Sequence, residues 1–217
     1  MTATSLDQRA ERRAARKVVN HETKRRQILD AAGELFFEKG YSTSSIDKIA
    51  AKLGVGKPFI YYYFDDKLAI FEALCLESSA LTSKSFRDLK KKGSSASEKL
   101  RIGLHELITR YTRTFAGGAL YYKEGGHFSE PGRAMGRRNA LKLHSDIKKI
   151  LEEGRATGEF EFEDAKLTAL LIGGAIGFMY TWYDPNGKMT PEDLASLMVH
   201  EILKMVLPVA RRNAVKP

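Results

Sequence analysis

Residues 41 to 67 read YSTSSIDKIAAKLGVGKPFIYYYFDDK, and this stretch decides the fold. Ser44 with Asp47 three residues on is a capping box that starts a helix. Ile46, Ile49, Ala50 and Leu53 recur at helical spacing and give that helix one apolar face, with Ala50 small enough for a crossing helix to approach. Gly54 supplies the left-handed residue that ends a helix without a Cβ penalty. Pro58 suits the first turn of a second helix, where its missing N–H costs nothing. Asp65 or Asp66 can cap a third. Helix, tight turn and short aromatic helix make a helix-turn-helix, the unit that sets a short helix into the DNA major groove.

The wider pattern over residues 23 to 70 resembles the DNA-binding domain of the TetR family of bacterial transcriptional repressors. The matching residues are Leu35, Phe36, Gly40 and Tyr41, then Ser45, Ile46, Ile49 and Ala50, then Gly54, Val55 and Lys57, then Tyr61, Tyr63, Phe64 and Lys67. The resemblance implies that Lys57, Pro58, Phe59, Tyr61 and Tyr62 face DNA from the recognition helix. It implies that Lys67 and Ser44 hold phosphates from the starts of their helices. Tyr63 and Phe64 are expected to pack against Phe36 and Leu53. Pro58, Phe59 and Tyr62 depart from the residues usual in the family, so the operator sequence is not implied.

The chain has 217 residues and a formal net charge of +9, which favours a polyanionic partner. The charge is concentrated at the start: Arg9, Arg12, Arg13, Arg16, Lys17, Lys24, Arg25 and Arg26 precede Ile28, against Asp7, Glu11 and Glu22. Residues 1–20 carry few large apolar groups and are expected to form a basic, mobile arm. The N-terminus has no apolar segment, so no signal peptide is expected. Cys75 is the single cysteine, which excludes an intramolecular disulfide and suits a reducing cytoplasm. The uncharged run from Leu167 to Tyr183, with Gly173 and Gly177 in a GxxxG pattern, admits a membrane span. It is short for a span and precedes an amphipathic helix, so a helix buried in a dimer is the stronger reading and no membrane is expected.

The rest reads as helices with short connectors, giving an all-α chain. Its parts are the arm 1–20, a three-helix helix-turn-helix domain 21–66 and a helical ligand-binding and dimerisation domain 67–217. Leu68, Phe71, Leu74, Leu81 and Phe86 mark a helix from Lys67 to Lys92, ended by Gly93. Ser95 with Glu98 caps the next. Glycines and Pro131 break up residues 116–132, which leave room for one short helix. An amphipathic helix spans Met135 to Leu151 and stops at Gly154. Asp164 and Thr190, the latter followed by Pro191, start the last two. The family layout pairs these two helices with their mates in a homodimer, on a roughly palindromic double-stranded operator with half-sites about one helical turn apart.

No catalytic set is found: HExxH, GxSxG and a P-loop are absent, and the two SxxK matches at Ser45 and Ser145 lack their companions. The histidines His21, His105, His127, His144 and His200 show no metal spacing, so no metal, cofactor or catalytic residue is expected. Aromatic residues are dense after the helix-turn-helix. Core packing accounts for part of them, and the rest suit a ligand cavity, for which Tyr111, Phe115, Tyr122, Phe128, Met179 and Trp182 are the candidates. The run from Met179 to Gly187, followed by Thr190-Pro191-Glu192, is similar to a segment of TetR-family repressors acting in fatty-acid, steroid and aromatic catabolism. That resemblance implies a small hydrophobic or acyl-CoA effector. A DNA-binding regulator without an effector is the alternative, and a helical enzyme or carrier is disfavoured by the density of the first match.

Overall fold

The computed structural model describes residues 3–87, 95–208 and 210, with the backbone alone for 3–17. Among the described residues the chain is helical throughout: α1 Ala3–Lys39, α2 Ile46–Leu53, α3 Lys57–Tyr61, α4 Lys67–Thr82, α5 Ala96–Arg113, α6 Phe115–Lys123, α7 Glu130–Ala156, α8 Ala165–Gly177 and α9 Pro191–Val206. Two 3-10 segments, Gly125–His127 and Phe178–Thr181, lie between them. The chain divides into two compact units, Met1–Leu74 and Cys75–Pro217, so the division falls inside α4 rather than at its start.

In the first unit Ile28, Leu29, Ala32 and Phe36 of α1 bury against Ile49 and Ala50 of α2, Ile60 of α3, and Phe64, Ile70 and Phe71. The turns are sequence-encoded. Gly40 and Gly54 adopt the left-handed conformation at φ 83° and 65°. Asp66 caps α4 through the Ala69 N–H at 2.7 Å. The cap of α2, however, falls one residue later than expected. Ser45 takes it, its hydroxyl accepting the Lys48 N–H at 3.3 Å. α1 also extends back through the stretch expected to be a mobile arm; Ala, Arg, Glu and Lys are good helix formers and carry α1 to Ala3.

In the second unit α5 packs on α7 and α9, and α7 on α8. Leu100, Leu104, Leu107, Ile108, Ile147, Leu151, Ile172, Leu194 and Ile202 form the core. The start of α5 is held twice. Ser95 accepts the Glu98 N–H at 3.1 Å, and the Glu159 carboxylate accepts the Ala96 and Ser97 N–H groups at 3.1 and 2.9 Å. Burial opposes the Glu159 charge, but these bonds and one from Thr157 outweigh it and hold its pKa down at about 2. Asp164 and Thr190 cap α8 and α9.

Three expected boundaries move. α4 stops at Thr82; Thr82 and Ser83 donate their hydroxyls to the Ser78 and Ala80 carbonyls, bonds that compete with helix propagation. Lys90 to Lys92 and Gly93 lie outside the described residues. α7 starts earlier, at Glu130, because Ser129 caps it through the Gly132 N–H at 3.1 Å and Pro131 fits its first turn. It runs past Gly154 to Ala156, and Gly158 at φ 71° closes it. The uncharged run 167–183 is not one helix, since α8 gives way to the 3-10 segment after Gly177. No described helix is long and apolar enough to cross a membrane.

Candidate nucleic-acid interface and ligand cavity

α3 carries the first candidate site. Pro58 lies in its first turn, and Gly56 precedes it in extended conformation. Ile60 is fully buried and anchors the helix, which leaves Lys57, Pro58, Tyr61 and Tyr62 exposed and Phe59 partly so. Tyr61 and Tyr62 keep 51% and 72% of their surface open, too much for core residues. Lys57 pairs with Asp47 at 2.8 Å, and that hydrogen bond raises its pKa. Tyr62 and Tyr63 pack edge to face at 4.9 Å. His21 of α1 lies 4.7 Å from the Tyr63 ring and Phe59 lies 5.3 Å from it. Phe64 is buried as expected, with the Arg25 guanidinium over its ring at 5.1 Å. Tyr63 sits in this partly exposed aromatic cluster.

Two expected phosphate contacts point inward. Ser44 is only 4% exposed, and its hydroxyl donates to the Gly40 carbonyl at 2.8 Å. The register shift that made Ser45 the cap turned Ser44 into the core. Lys67 donates to the Tyr41 and Ser44 carbonyls, both at 2.9 Å, and its ammonium lies 4.1 Å from the centre of the Tyr41 ring. It clamps the turn between α1 and α2 to the start of α4 rather than presenting its charge outward.

The second candidate site is a cavity of about 90 Å³ inside the second unit. Five helices each contribute one face at helical spacing: Cys75, Ser78, Ser79 and Thr82 from α4; Leu107 and Tyr111 from α5; Gly118, Tyr121 and Tyr122 from α6; Gly136, Asn139, Ala140, Leu143 and His144 from α7; Gly173, Ile176 and Gly177 from α8. Its rings rest on glycines. A Cβ at Gly118 would lie 2.8 Å from Tyr111, one at Gly136 2.6 Å from Tyr121, and one at Gly173 2.5 Å from His144; one at Gly177 would strike the Tyr122 hydroxyl. The GxxxG pair therefore seats His144 and Tyr122 in the cavity wall. The Tyr111 hydroxyl donates to the Gly177 carbonyl at 3.2 Å, and Tyr122 stacks on Tyr180 at 5.7 Å. Burial pushes the Tyr111, Tyr121 and Tyr122 pKa values up and that of His144 down.

Of the six ligand candidates, Tyr111 and Tyr122 line this cavity. Phe115, Phe128 and Met179 are buried in the core and do not line it, and Trp182 is 54% exposed. Phe115 packs edge to face on Tyr183 at 5.4 Å, and Phe128 lies 5.5 Å from Tyr121. Sequence reasoning missed Ser78, Asn139 and His144. The signal was present in the spacing of residues 136, 139, 140, 143 and 144, which share one helix face. His105 lines a separate, more open groove with Arg101, Arg110 and Arg113. Arg110 there pairs with Glu106, and Arg113 with Glu192 at 3.5 Å.

Helix α8 presents Leu167, Leu170 and Leu171 to the outside, continued by Phe178 and Trp182; α9 presents Leu197 and Met205. These exposed apolar side chains are unusual for helices that bury their opposite faces.

Comparison with known proteins assigns both units. Residues 28–74 match the family described as bacterial regulatory proteins, tetR family, and residues 93–206 match the tetracyclin repressor-like C-terminal domain. The fatty acid metabolism regulator protein of Bacillus subtilis is 29% identical over 172 residues, covering 74% of this chain and 83% of that protein. The transcriptional activator FasR of Mycolicibacterium smegmatis is 41% identical over 51 residues, 24% of this chain and only 23% of that protein's length. The structure of AibR in complex with isovaleryl coenzyme A and operator DNA superposes with a TM-score of 0.69 at 22% identity, covering 82% of this chain and 97% of that one, a likeness of fold. A matched DNA-binding domain, a matched C-terminal domain covering half of the chain, and the same helical architecture lead to one conclusion: this protein belongs to the TetR family of bacterial transcriptional regulators.

Proposed function

We propose that this regulator is a ligand-released repressor. It binds a roughly palindromic operator as a homodimer and leaves it when a small hydrophobic or acyl-CoA effector enters the cavity of the second unit. The cavity itself carries this reading, because its wall is apolar, ring-lined and supplied with a few hydrogen-bonding groups. The relation to a fatty acid metabolism regulator and the coenzyme A ester bound by AibR support the effector class. Lys57, Pro58, Phe59, Tyr61 and Tyr62 read the operator. The side chains of Ser44 and Lys67 are engaged inside the protein, so their part is to hold the turn that orients α3.

The exposed apolar faces of α8 and α9 are the dimerisation surface. Sedimentation at micromolar concentration should show two chains; a monomer unaffected by operator DNA would remove the dimer. The basic segment 1–20 binds backbone phosphates, and deleting it should flatten the salt dependence of binding by about one log unit for each phosphate it neutralises. An unchanged slope would leave it no role on DNA.

Release requires that the ligand prefer the form that does not match the operator. α4 is the natural lever, since it supplies Lys67 to the first unit and Cys75, Ser78, Ser79 and Thr82 to the cavity. The test is a mobility-shift titration with long-chain, steroid-derived and aromatic acyl-CoAs and their free acids. Release by one class, abolished in a Tyr111→Ala variant that still binds operator, is expected. One observation favours the alternative of a regulator without an effector: about 90 Å³ is well below the roughly 300 Å³ at which ligand pockets begin, so a ligand must displace rings to enter. No release by any class, and no response to cell extract, would establish that alternative.

A further inference from the structure

The cavity lining holds no Asp, Glu, Lys or Arg; its polar members are hydroxyls, one thiol, one carboxamide and one imidazole. Most of these are already committed to the protein. Tyr111 donates to Gly177, Ser78 bonds Thr114 at 2.8 Å, Ser79 donates to the Leu76 carbonyl at 3.0 Å, and Thr82 donates to the Ser78 and Ser79 carbonyls. Asn139 spends one N–H on the Ser79 hydroxyl at 2.9 Å. Its carbonyl oxygen, the Tyr121 hydroxyl and both ring nitrogens of His144 have no hydrogen-bond partner among the described residues. These three residues are only partly buried, so solvent can pair with their polar atoms until a ligand takes its place. Here they come from two neighbouring elements, α6 and one face of α7.

We propose that the cavity selects an uncharged, largely apolar group bearing a carbonyl or hydroxyl oxygen, held by Tyr121, Asn139 and His144, and that it rejects the matching free carboxylate. The proposal rests on reading the cavity as the effector site and adds the chemistry of what that site accepts. A phenol and an amide N–H donate to such an oxygen, and the Asn139 carbonyl accepts from a hydroxyl. A carboxylate would bring an unpaired charge into a space that offers neutral partners only, which is far costlier than burying a hydrogen-bonded oxygen. Burial also disfavours the charged form of the cavity's ionisable rings, raising Tyr121 and lowering His144. Arg137, whose charge acts on the Tyr121 hydroxyl, is exposed and stands outside the lining. For an acyl-CoA this places the acyl part inside and the phosphates outside.

The experiment measures binding of decanoic acid, decanamide and decanoyl-CoA, and of a steroid ketone beside a steroid carboxylic acid, to the full-length protein at neutral pH, by thermal shift and by operator release. The neutral members should bind about a hundredfold more tightly than the acids. Asn139→Lys, which places a cation in the lining, should move the preference toward the acids. Tyr121→Phe with Asn139→Leu should weaken the amide and the ketone while the protein still folds and binds operator. Acids binding as tightly as their neutral partners would overturn the proposal and leave the effector cavity standing. A neutral preference that the Tyr121 and Asn139 variants leave untouched would put the selecting groups elsewhere and also overturn it. If no compound stabilised the protein or released the operator, the effector reading would fail and this proposal with it.

Discussion

Tyr61 and Tyr62 at the end of the five-residue helix α3 and Tyr111 and Tyr121 around the cavity are the same side chain in opposite surroundings. The first pair is exposed, beside a lysine paired with an exposed aspartate. The second pair is pressed against Gly118 and Gly136, and burial pushes both phenol pKa values up. On the proposed function, a surface that meets a polyanion keeps its charges solvated and needs no preformed hollow. A surface that takes an apolar ligand, as proposed for the cavity, must remove charge and make room for rings, and glycine makes that room on a helix. The two regions thus differ in what limits them: charge and reach in the first, volume in the second.

The sharpest way to break this contrast is to remove the outward rings. Tyr61→Ala with Tyr62→Ala should weaken operator binding about a hundredfold, with melting temperature and ligand binding unchanged. Operator affinity equal to the unaltered protein, in a mobility-shift assay, would take the recognition face away from α3. Lys67→Met tests which side of the contrast that residue belongs to. As an inward clamp it should cost about 2 kcal/mol of stability in a urea titration and leave the salt slope of DNA binding unchanged. A shallower salt slope at full stability would return Lys67 to the phosphates.

Glu159 tests whether a charge in the second unit works by structure alone. Its pKa is lowered to about 2 from 4.5, so its contribution is complete above about 4.5 and fades as pH falls toward 2. Glu159→Gln should cost about 1 kcal/mol at neutral pH, as the loss of a helix cap does, and the difference from the unaltered protein should vanish at the acid end of the stability curve. A difference independent of pH would mean that the carboxylate charge is not what holds α5. The smallest effect is expected of Gly173→Ala. Alanine favours the helix by up to about 1 kcal/mol, while its Cβ meets the end of the His144 ring, a flexible side chain that can shift. Stability should change little and effector affinity should fall; unchanged affinity by calorimetry would show that His144 can leave its glycine freely.

The caps and turns of the first unit were legible because each is made by residues a few positions apart. Gly40, Gly54, Pro58 and Asp66 do what their local chemistry dictates. The single slip, Ser45 for Ser44, arose because two adjacent serines satisfy the same pattern, and it reversed the role of one candidate contact. The second unit was harder to read. Gly117 and Gly118 look like helix breakers, yet both lie inside α6, where Gly118 leaves the space that Tyr111 fills. Phe115, Phe128 and Met179 look like ligand contacts, but nothing local separates a ring that lines a cavity from one that fills a core.

The sequence by itself determined the family, the all-helical architecture, the helix-turn-helix and the caps of α5, α8 and α9, since these rest on short-range spacing and backbone chemistry. Tertiary structure alone decided that Lys67 turns inward, that α4 stops at Thr82, and that Tyr121, Asn139 and His144 meet around one cavity. Those outcomes depend on which helix faces oppose each other across the core, a long-range packing choice that no local pattern encodes.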